Sequence, residues 1–437
     1  MIGLKIASFE SLEYLFSNNK GNYYCITFDE SACGDLVKKN YSDNKIINID
    51  LPSSKAWSDE KKVVSKTDLA DLLRKKGVDS LVLDTHSSTY IEKWAEKQGI
   101  GLVVTPWKIQ KKIENKIFFQ KFLEKNSLPS PKSWILRNEK DVDFADTFPV
   151  IVQIPDSNGS KGTFFAKNRS EIKKLINSEK APLPLLCRQF IDNGLPIGVS
   201  VLIGPEKMVF SGLRVQAYFL NANGTSVYYG IQWVKTSYFS KSVIKKLNSY
   251  LEKAGKALQE LGFIGVANFD IIIRNNEIYF IECNPRLGGS TPQISFKKEL
   301  LHGLNFGNEF AKVTCGGELS LNKRFIPDTS YQGFNLDLDF LADGHIDTEI
   351  NTAKVGFYQP VSGGFVYASS KASDFEDDAI FIYHANPEKI TISHNYFMGF
   401  SMTHRPLLNL RKNGYTFSVE GKKFLKQIEN LIIGNDK

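Results

Sequence analysis

The segment from Asn268 to Arg286 (NFDIIIRNNEIYFIECNPR) constrains this chain more than any other stretch. Two apolar runs flank Asn275-Asn276, a pattern that predicts a β-hairpin. Alternate side chains of a strand share a face, so Phe280, Glu282 and Asn284 are expected to point one way. Tyr279, Ile281 and Cys283 are expected to point the other. Asp270 stands among apolar residues, where an unpaired carboxylate is costly. Asp270, Glu282 and Asn284 would converge as an oxygen-only cluster, the hard ligand set that Mg²⁺ (or Mn²⁺) needs when it bridges nucleotide phosphates. Arg286 follows, placed to hold phosphate or carboxylate oxygens bidentately. The bland alternative is a hairpin with one buried acid and a surface turn. Two acids plus Asn-Pro-Arg inside an apolar β segment weigh against it.

At 437 residues the chain is long for one core, and two to four domains are expected. The net charge of +7 comes from 55 basic against 48 acidic residues, which on a chain this size suggests anionic small molecules and not nucleic acid. Lysine runs such as Lys108-Ile109-Gln110-Lys111-Lys112 have the spacing of solvated helix faces. No apolar run reaches the roughly 18 residues of a membrane span, so no membrane partner is expected. Met1 to Ala7 reads as a first strand and not a secretory leader. The cysteines Cys25, Cys33, Cys187, Cys283 and Cys315 are scattered and odd in number, which fits a reducing cytoplasm.

Along the first hundred residues strands alternate with helices. Tyr23–Phe28, Ile46–Ile49, Ser80–Asp84 and Gly101–Pro106 read as strands, and Asp68–Lys76 and Tyr90–Gln98 as helices, the second closed by Gly99. This predicts an open α/β sheet with parallel pairs. No glycine-rich dinucleotide fingerprint follows the first strand. Lys108 to Asn126 reads as one helix, then Phe148–Ile154 and Phe164–Ala166 as strands around a Gly/Ser loop. Further strands are expected at Leu185–Ile191, Gly198–Ile203, Phe210–Gln216 and Ser226–Trp233, before a long amphipathic helix at Ser242–Leu261. Beyond Phe325 the pattern is β-rich with glycine turns.

Several motifs invite chemistry, each with a plainer reading beside it. The loop carrying Ser157, Gly159, Ser160, Lys161, Gly162 and Thr163 could cradle phosphate with backbone amides and hydroxyls, though hairpin loops are often Gly/Ser-rich. Lys116 read alone is one surface lysine among many. The segment Leu287-Gly288-Gly289-Ser290-Thr291-Pro292 is either a carboxylate-binding turn or a connector. Arg214, a charge inside a strand pattern, suggests a partner such as an acyl phosphate, with an internal salt bridge about equal in weight. The histidines form no metal pair at helical spacing.

Read in order, these segments resemble the ATP-grasp superfamily over roughly residues 108 to 310. The carriers are Glu114-Asn115-Lys116 with Leu128-Pro129-Ser130-Pro131, Phe148 to Gln153, the Gly159–Thr163 loop, Gln189 to Gly194, Gly265 to Asp270 and Ile281 to Arg286. The resemblance implies ATP held between two α+β subdomains. Lys116 would meet its phosphates, the glycine loop would cover them, and Leu186 to Ile191, including Gln189, Phe190 and Ile191, would form the hinge against adenine. Asp270, Glu282 and Asn284 would hold Mg²⁺, and Arg286, with Arg214, would serve the transferring phosphoryl group or acyl phosphate. One departure stands out: Gln153 lies where most of the superfamily carries lysine, and Lys161 is a candidate to supply the lost charge. A branch of peptide-forming ligases is similar in having glutamine there. The segment Asp192-Asn193-Gly194 also lacks the glutamate often found near the hinge.

The expected fold class is therefore mixed α/β and α+β: an ATP-grasp fold with an N-terminal Rossmann-like pre-ATP-grasp domain and a β-rich C-terminal region. The expected divisions are 1–107, a small subdomain at 108–187, a large one at 188–320 and an extension at 321–437. The expected function is an ATP-dependent carboxylate–amine ligase for small-molecule substrates, with a homodimer among its expected assemblies. A carboxylase-like or carrier-linked ligase, and a nucleotide-binding regulatory protein without turnover, are the alternatives.

Overall fold

The computed structural model describes residues 2–3, 24–29, 46–52, 69–83, 86–144, 146–157, 162–178, 181–220, 226–338, 356–369, 380–382, 399–411 and 414–432. The first strands form a parallel sheet in the order Ile46–Pro52, Tyr24–Asp29, Ile2–Gly3, Ser80–Val82, Gly101–Val103. Parallel neighbours need crossover connections, and among the described residues the helices Leu69–Lys75 and Thr89–Gln98 lie between such strands. Thr89–Gln98 starts where the Ser88 hydroxyl accepts from the Ile91 N–H, and stops at Gly99 with φ 68°. Residues 4–7 of the expected first strand, and Asp84, lie outside the described residues.

The single helix expected over Lys108–Asn126 is two, Trp107–Glu114 and Lys116–Lys125. Asn115 causes the break. Its backbone is extended (φ −65°, ψ 113°), and its side chain accepts from the Phe118 N–H, capping the second helix. A short amide that can satisfy the next helix's free donors competes well with continuing the first. Lys116 thereby opens a helix instead of lying within one.

Beyond these helices a four-stranded antiparallel sheet runs in the order Ser133–Leu136, Leu185–Gln189, Val150–Gln153, Thr163–Ala166. Leu136, Val150, Val152, Ala166, Leu185 and Cys187 pack on Ile172 of the helix Arg169–Asn177. Strand alternation sends Ile151, Gln153, Leu186 and Arg188 to the opposite face.

The largest sheet is built on Glu277–Asn284, Gly265–Arg274, Leu195–Ile203, Leu213–Leu220 and Ser226–Val234, side by side and antiparallel. The expected strand Phe210–Gln216 is broken at Ser211-Gly212. Its first part, Met208–Phe210, turns back onto Leu195–Ile203. The helix Lys241–Glu260 buries Val243, Leu247, Leu251, Ala254 and Leu258 against Val199, Phe269 and Phe280, with i, i+4 spacing keeping one stripe on the sheet. The sheet continues through Phe334–Asp337, Gly399–Met402, Ile380–Ile382, Gly356–Val361 and Gly364–Ser369. The helix Val419–Ile432 adds Phe424, Ile428 and Ile432 to the same core. Among the described residues no helix is long and apolar enough to cross a membrane.

Gly230 marks the join to the outer strands. Its φ is 133°, and a Cβ there would stand 1.9 Å from the Asn335 carbonyl oxygen. Because the obstruction is backbone and pairs Gly230 with Leu336, Gly230→Ala is expected to cost roughly 2–4 kcal/mol of stability, read from chemical unfolding. An unchanged midpoint would show that the outer strands yield freely.

Candidate functional site

The hairpin turns at Asn275 and Asn276, both with positive φ (50° and 66°), the geometry that lets two residues connect right-twisted strands. Its register pairs Asn268 with Asn284, Asp270 with Glu282 and Ile271 with Phe280, leaving Ile281 without a partner. This bulge corrects the expectation that Phe280 shares the face of Glu282. An extra residue in one strand reverses the alternation beyond it, so Phe280 joins Ile278 and Cys283 in the apolar core. Glu282 and Asn284 remain together on the polar side, opposite Asp270 and Asn268.

Asn284 Nδ2 donates to Asp270 Oδ2 and to Glu282 Oε1, each at 3.1 Å, and Gln216 Nε2 donates to Asp270 Oδ1 at 2.6 Å. Lys116 is not a surface lysine. It is 5% exposed, its Nζ lies 3.7 Å from Glu282 Oε2, and it also donates to the Ser157 carbonyl. Burial, reinforced by the charge of Glu282, raises the Asp270 carboxyl well above its ordinary range. Burial also raises Glu282, but Lys116 and the hydrogen bonds from Asp270 and Asn284 outweigh it and hold that carboxyl low. Two acids facing each other across a bulged register are the surplus of negative charge that a divalent cation neutralises, so the donor set fits one. Among the described residues no three His, Cys, Asp or Glu side chains cluster as a metal cage. Such an ion would complete its shell with ligand oxygens.

Arg214 crosses the same sheet. Gly198 lies in register between Arg214 and Asp270, and a Cβ on Gly198 would stand 2.7 Å from Arg214 Nε. The missing side chain lets the guanidinium lie flat over the strand. There Nη1 donates to Ser200 Oγ at 3.1 Å and Nη2 to Asn268 Oδ1 at 3.3 Å, with the Trp233 ring 5.8 Å away. Burial pushes this guanidinium down to about 10, against the opposing pull of Asp270. Its hydrogen bonds go to neutral partners.

Arg286 donates from Nε to Glu114 Oε1 at 2.9 Å and from Nη1 to the Leu287 carbonyl at 3.4 Å. Both oxygens of Glu114 lie 3.0 Å from His86 Nε2. Burial raises the Glu114 carboxyl, but His86 and Arg286 together hold it below its ordinary range. Arg286 is thus tethered to the end of Trp107–Glu114 and, through His86, to the connection between the strand Ser80–Val82 and the helix Thr89–Gln98.

In the four-stranded sheet, Arg188 Nη1 donates to Gln153 Oε1 at 3.1 Å, and Gln153 Nε2 donates to Thr163 Oγ1 at 3.4 Å. Ser157 Oγ donates to the Ile154 carbonyl at 2.8 Å, and Gly162 closes the loop with φ 71°. Gly159, Ser160 and Lys161 lie outside the described residues. Gln189 N donates to the Lys132 carbonyl at 2.8 Å and Phe190 N to that of Pro149 at 3.1 Å. The Phe190 ring meets Phe165 edge-on at 5.1 Å, and Ile191 is buried.

Asp270, Glu282, Asn284 and Lys116 thus stand together, while Arg214 reaches Asn268 on the same hairpin and Arg286, just past its end, is held by Glu114. Sequence reasoning gave Gln216, Asn268 and Glu114 no role of their own and took Arg188 only as part of the Leu186–Ile191 hinge. Arg188 had a usable signal, a lone charge inside the apolar run Leu185-Leu186-Cys187, the feature that singled out Arg214. Neither the Gln216–Asp270 bond nor the Glu114–Arg286 tether could be read locally, because the partners lie 54 and 172 residues apart.

Residues 113–290 match the family model of the ATP-grasp domain. Over 261 residues, 58% of this chain, the sequence is 22% identical to the carbamoyl phosphate synthase large chain of Pseudothermotoga lettingae. The match spans only 23% of that relative. Among solved structures, the biotin carboxylase domain of the Hydrogenobacter thermophilus 2-oxoglutarate carboxylase superposes with a TM-score of 0.67. It covers 93% of this chain and 86% of that one at 15% identity, and was solved with MgADP and bicarbonate. An ADP complex of N5-carboxyaminoimidazole ribonucleotide synthetase gives a TM-score of 0.58 at 12% identity, covering 98% and 94%.

Proposed function

With residues 113–290 an ATP-grasp domain in an ATP-grasp fold as the premise, we propose that the chain is an ATP-dependent ligase joining a carboxylate to an amine. The observation that carries this reading is the convergence of Lys116, Asp270, Glu282 and Asn284 at one point, with Arg214 and Arg286 beside it. Asp270, Glu282 and Asn284 would hold Mg²⁺, which supplies charge neutralisation across the nucleotide phosphates. Lys116, desolvated and in the first turn of its helix, would hold phosphate oxygens at that helix's positive end. The loop 157–163 would cover them, and Leu186 to Ile191 would hold the base. We assign the N-terminal parallel sheet to a Rossmann-like pre-ATP-grasp domain, a reading supported by its strand order, and we propose dividing the rest at 187 and 320.

The γ-phosphoryl group moves to a carboxylate oxygen, giving an acyl phosphate and ADP. The amine nitrogen then attacks the carbonyl carbon, the C–O bond to phosphate breaks, and the nitrogen gives up a proton. Arg286 would steady the phosphoryl oxygens and Arg214 the acyl side. Positioning and charge are the protein's main contributions to such in-line transfer.

A second reading, activation of bicarbonate, is favoured by the biotin carboxylase and N5-carboxyaminoimidazole ribonucleotide synthetase neighbours. One screen separates them: ADP release with Mg²⁺-ATP across paired amino acids and small acids, with and without bicarbonate, and mass spectrometry of products. The expected result is sustained, multiple-turnover ADP release only when acid and amine are both present, with a product lighter than their sum by one water. Release that requires bicarbonate would select the second reading. ATP binding without ADP under any condition would overturn both.

A further inference from the structure

Arg188 is 2% exposed, yet only one of its three guanidinium nitrogens has a partner. Nη1 donates to the neutral Gln153 amide at 3.1 Å, whereas Nε and Nη2 are buried with no acceptor among the described residues. A guanidinium can only donate, and leaving its donors dry and unpaired opposes folding. The residue lies on the sheet face turned away from the apolar core, together with Gln153, Ile151 and Leu186. On that face Gln153 lies two residues before Pro155, whose carbonyl accepts from the Lys116 N–H, and Lys116 in turn reaches Glu282. Burial pushes the guanidinium down to about 10 against the opposing fields of Glu282 and Glu124, so Arg188 stays charged and feels the acid cluster. Among the described residues no carboxylate hydrogen-bonds it, which distinguishes it from an ordinary internal ion pair.

We propose that Arg188 is a nucleotide-binding residue whose free Nε and Nη2 donors receive phosphate oxygens of the bound nucleoside polyphosphate, supplying the positive charge that Gln153 lacks. This rests on the ATP reading above. Two parallel donors on a rigid fork match two oxygens of one phosphate. The Nη1 bond to Gln153 fixes the fork's direction, and the Gln153–Thr163 bond ties it to the end of the covering loop.

The test is calorimetric titration of the full chain with ATP, ADP and adenosine, alongside thermal unfolding without ligand, for Arg188→Met and Arg188→Lys. Arg188→Met is expected to weaken ATP and ADP by about tenfold to a hundredfold. Adenosine affinity should fall far less, since its loss reports only any disturbance of the base-holding segment, and the unliganded melting temperature should stay level or rise, because unpaired buried donors have been removed. Arg188→Lys keeps the charge but loses the fork, so an intermediate loss is expected; it carries the test if the methionine variant does not fold. Unchanged ATP affinity in a folded variant would overturn the assignment, as would an equal loss for adenosine. So would a lowered melting temperature with normal affinity, the mark of a purely structural arginine. If the wild-type chain bound no nucleotide, the ligase reading itself would fall, and this assignment with it.

Discussion

Glu282→Ala is expected to slow ATP-dependent turnover by about a thousandfold, a loss of about 4 kcal/mol of transition-state stabilisation. Glu282 stands where three interactions meet: the register pair with Asp270, the Asn284 amide at 3.1 Å and Lys116 Nζ at 3.7 Å. Its removal takes a charged ligand from the proposed cation and frees Lys116 from its carboxylate. Asp270, relieved of the opposing charge that helps raise its carboxyl, cannot serve two phosphates' worth of cation alone. ADP release at saturating Mg²⁺ is the measurement. A variant that folds and retains near-normal release would remove Glu282 from the site.

The second large effect concerns Arg286. Arg286→Ala is expected to lower kcat by about a hundredfold or more while ATP affinity changes little, because the residue is assigned to charge that moves during transfer. Glu114→Gln should give a smaller loss of about tenfold, since it loosens a tether and leaves the guanidinium in place. The Glu114 carboxyl is held below its ordinary range. Its contribution to stability is therefore complete above the unfolded-state pKa and disappears only as pH falls through the lower folded value. The melting-temperature gap between wild type and Glu114→Gln should accordingly shrink as pH falls through the acid range. A gap that stayed constant into strong acid would contradict the tether, and a drop in ATP affinity equal to the drop in kcat would move Arg286 to ground-state binding.

Much of the hairpin was legible because its chemistry is local: apolar runs, two asparagines at the turn and acids at fixed spacing. The bulge at Ile281 was not. An inserted backbone residue leaves no compositional trace, yet it moved Phe280 from the expected polar face into the core. The break at Asn115 was hidden for a related reason, since the residues on both sides favour helix and only the amide's capping bond decides. Arg188 and Gln216 became meaningful only when sheet order brought Gln153 and Asp270 within reach of them. The charge sought in Lys161 to offset Gln153 has a described counterpart in Arg188, on a strand the sequence reading treated as a hinge alone.

The Asn335 amide donates to the Gly289 carbonyl at 3.0 Å, three residues past Arg286, while its own strand is laddered to Ser226–Val234. Chain contributed from beyond position 330 thus braces the bend that follows the acid hairpin. Trimming it away would do more than shorten the protein: it would bare a row of unsatisfied main-chain groups along Ser226–Val234, an adhesive rim inviting foreign strands, and slacken the very corner from which Arg286 projects.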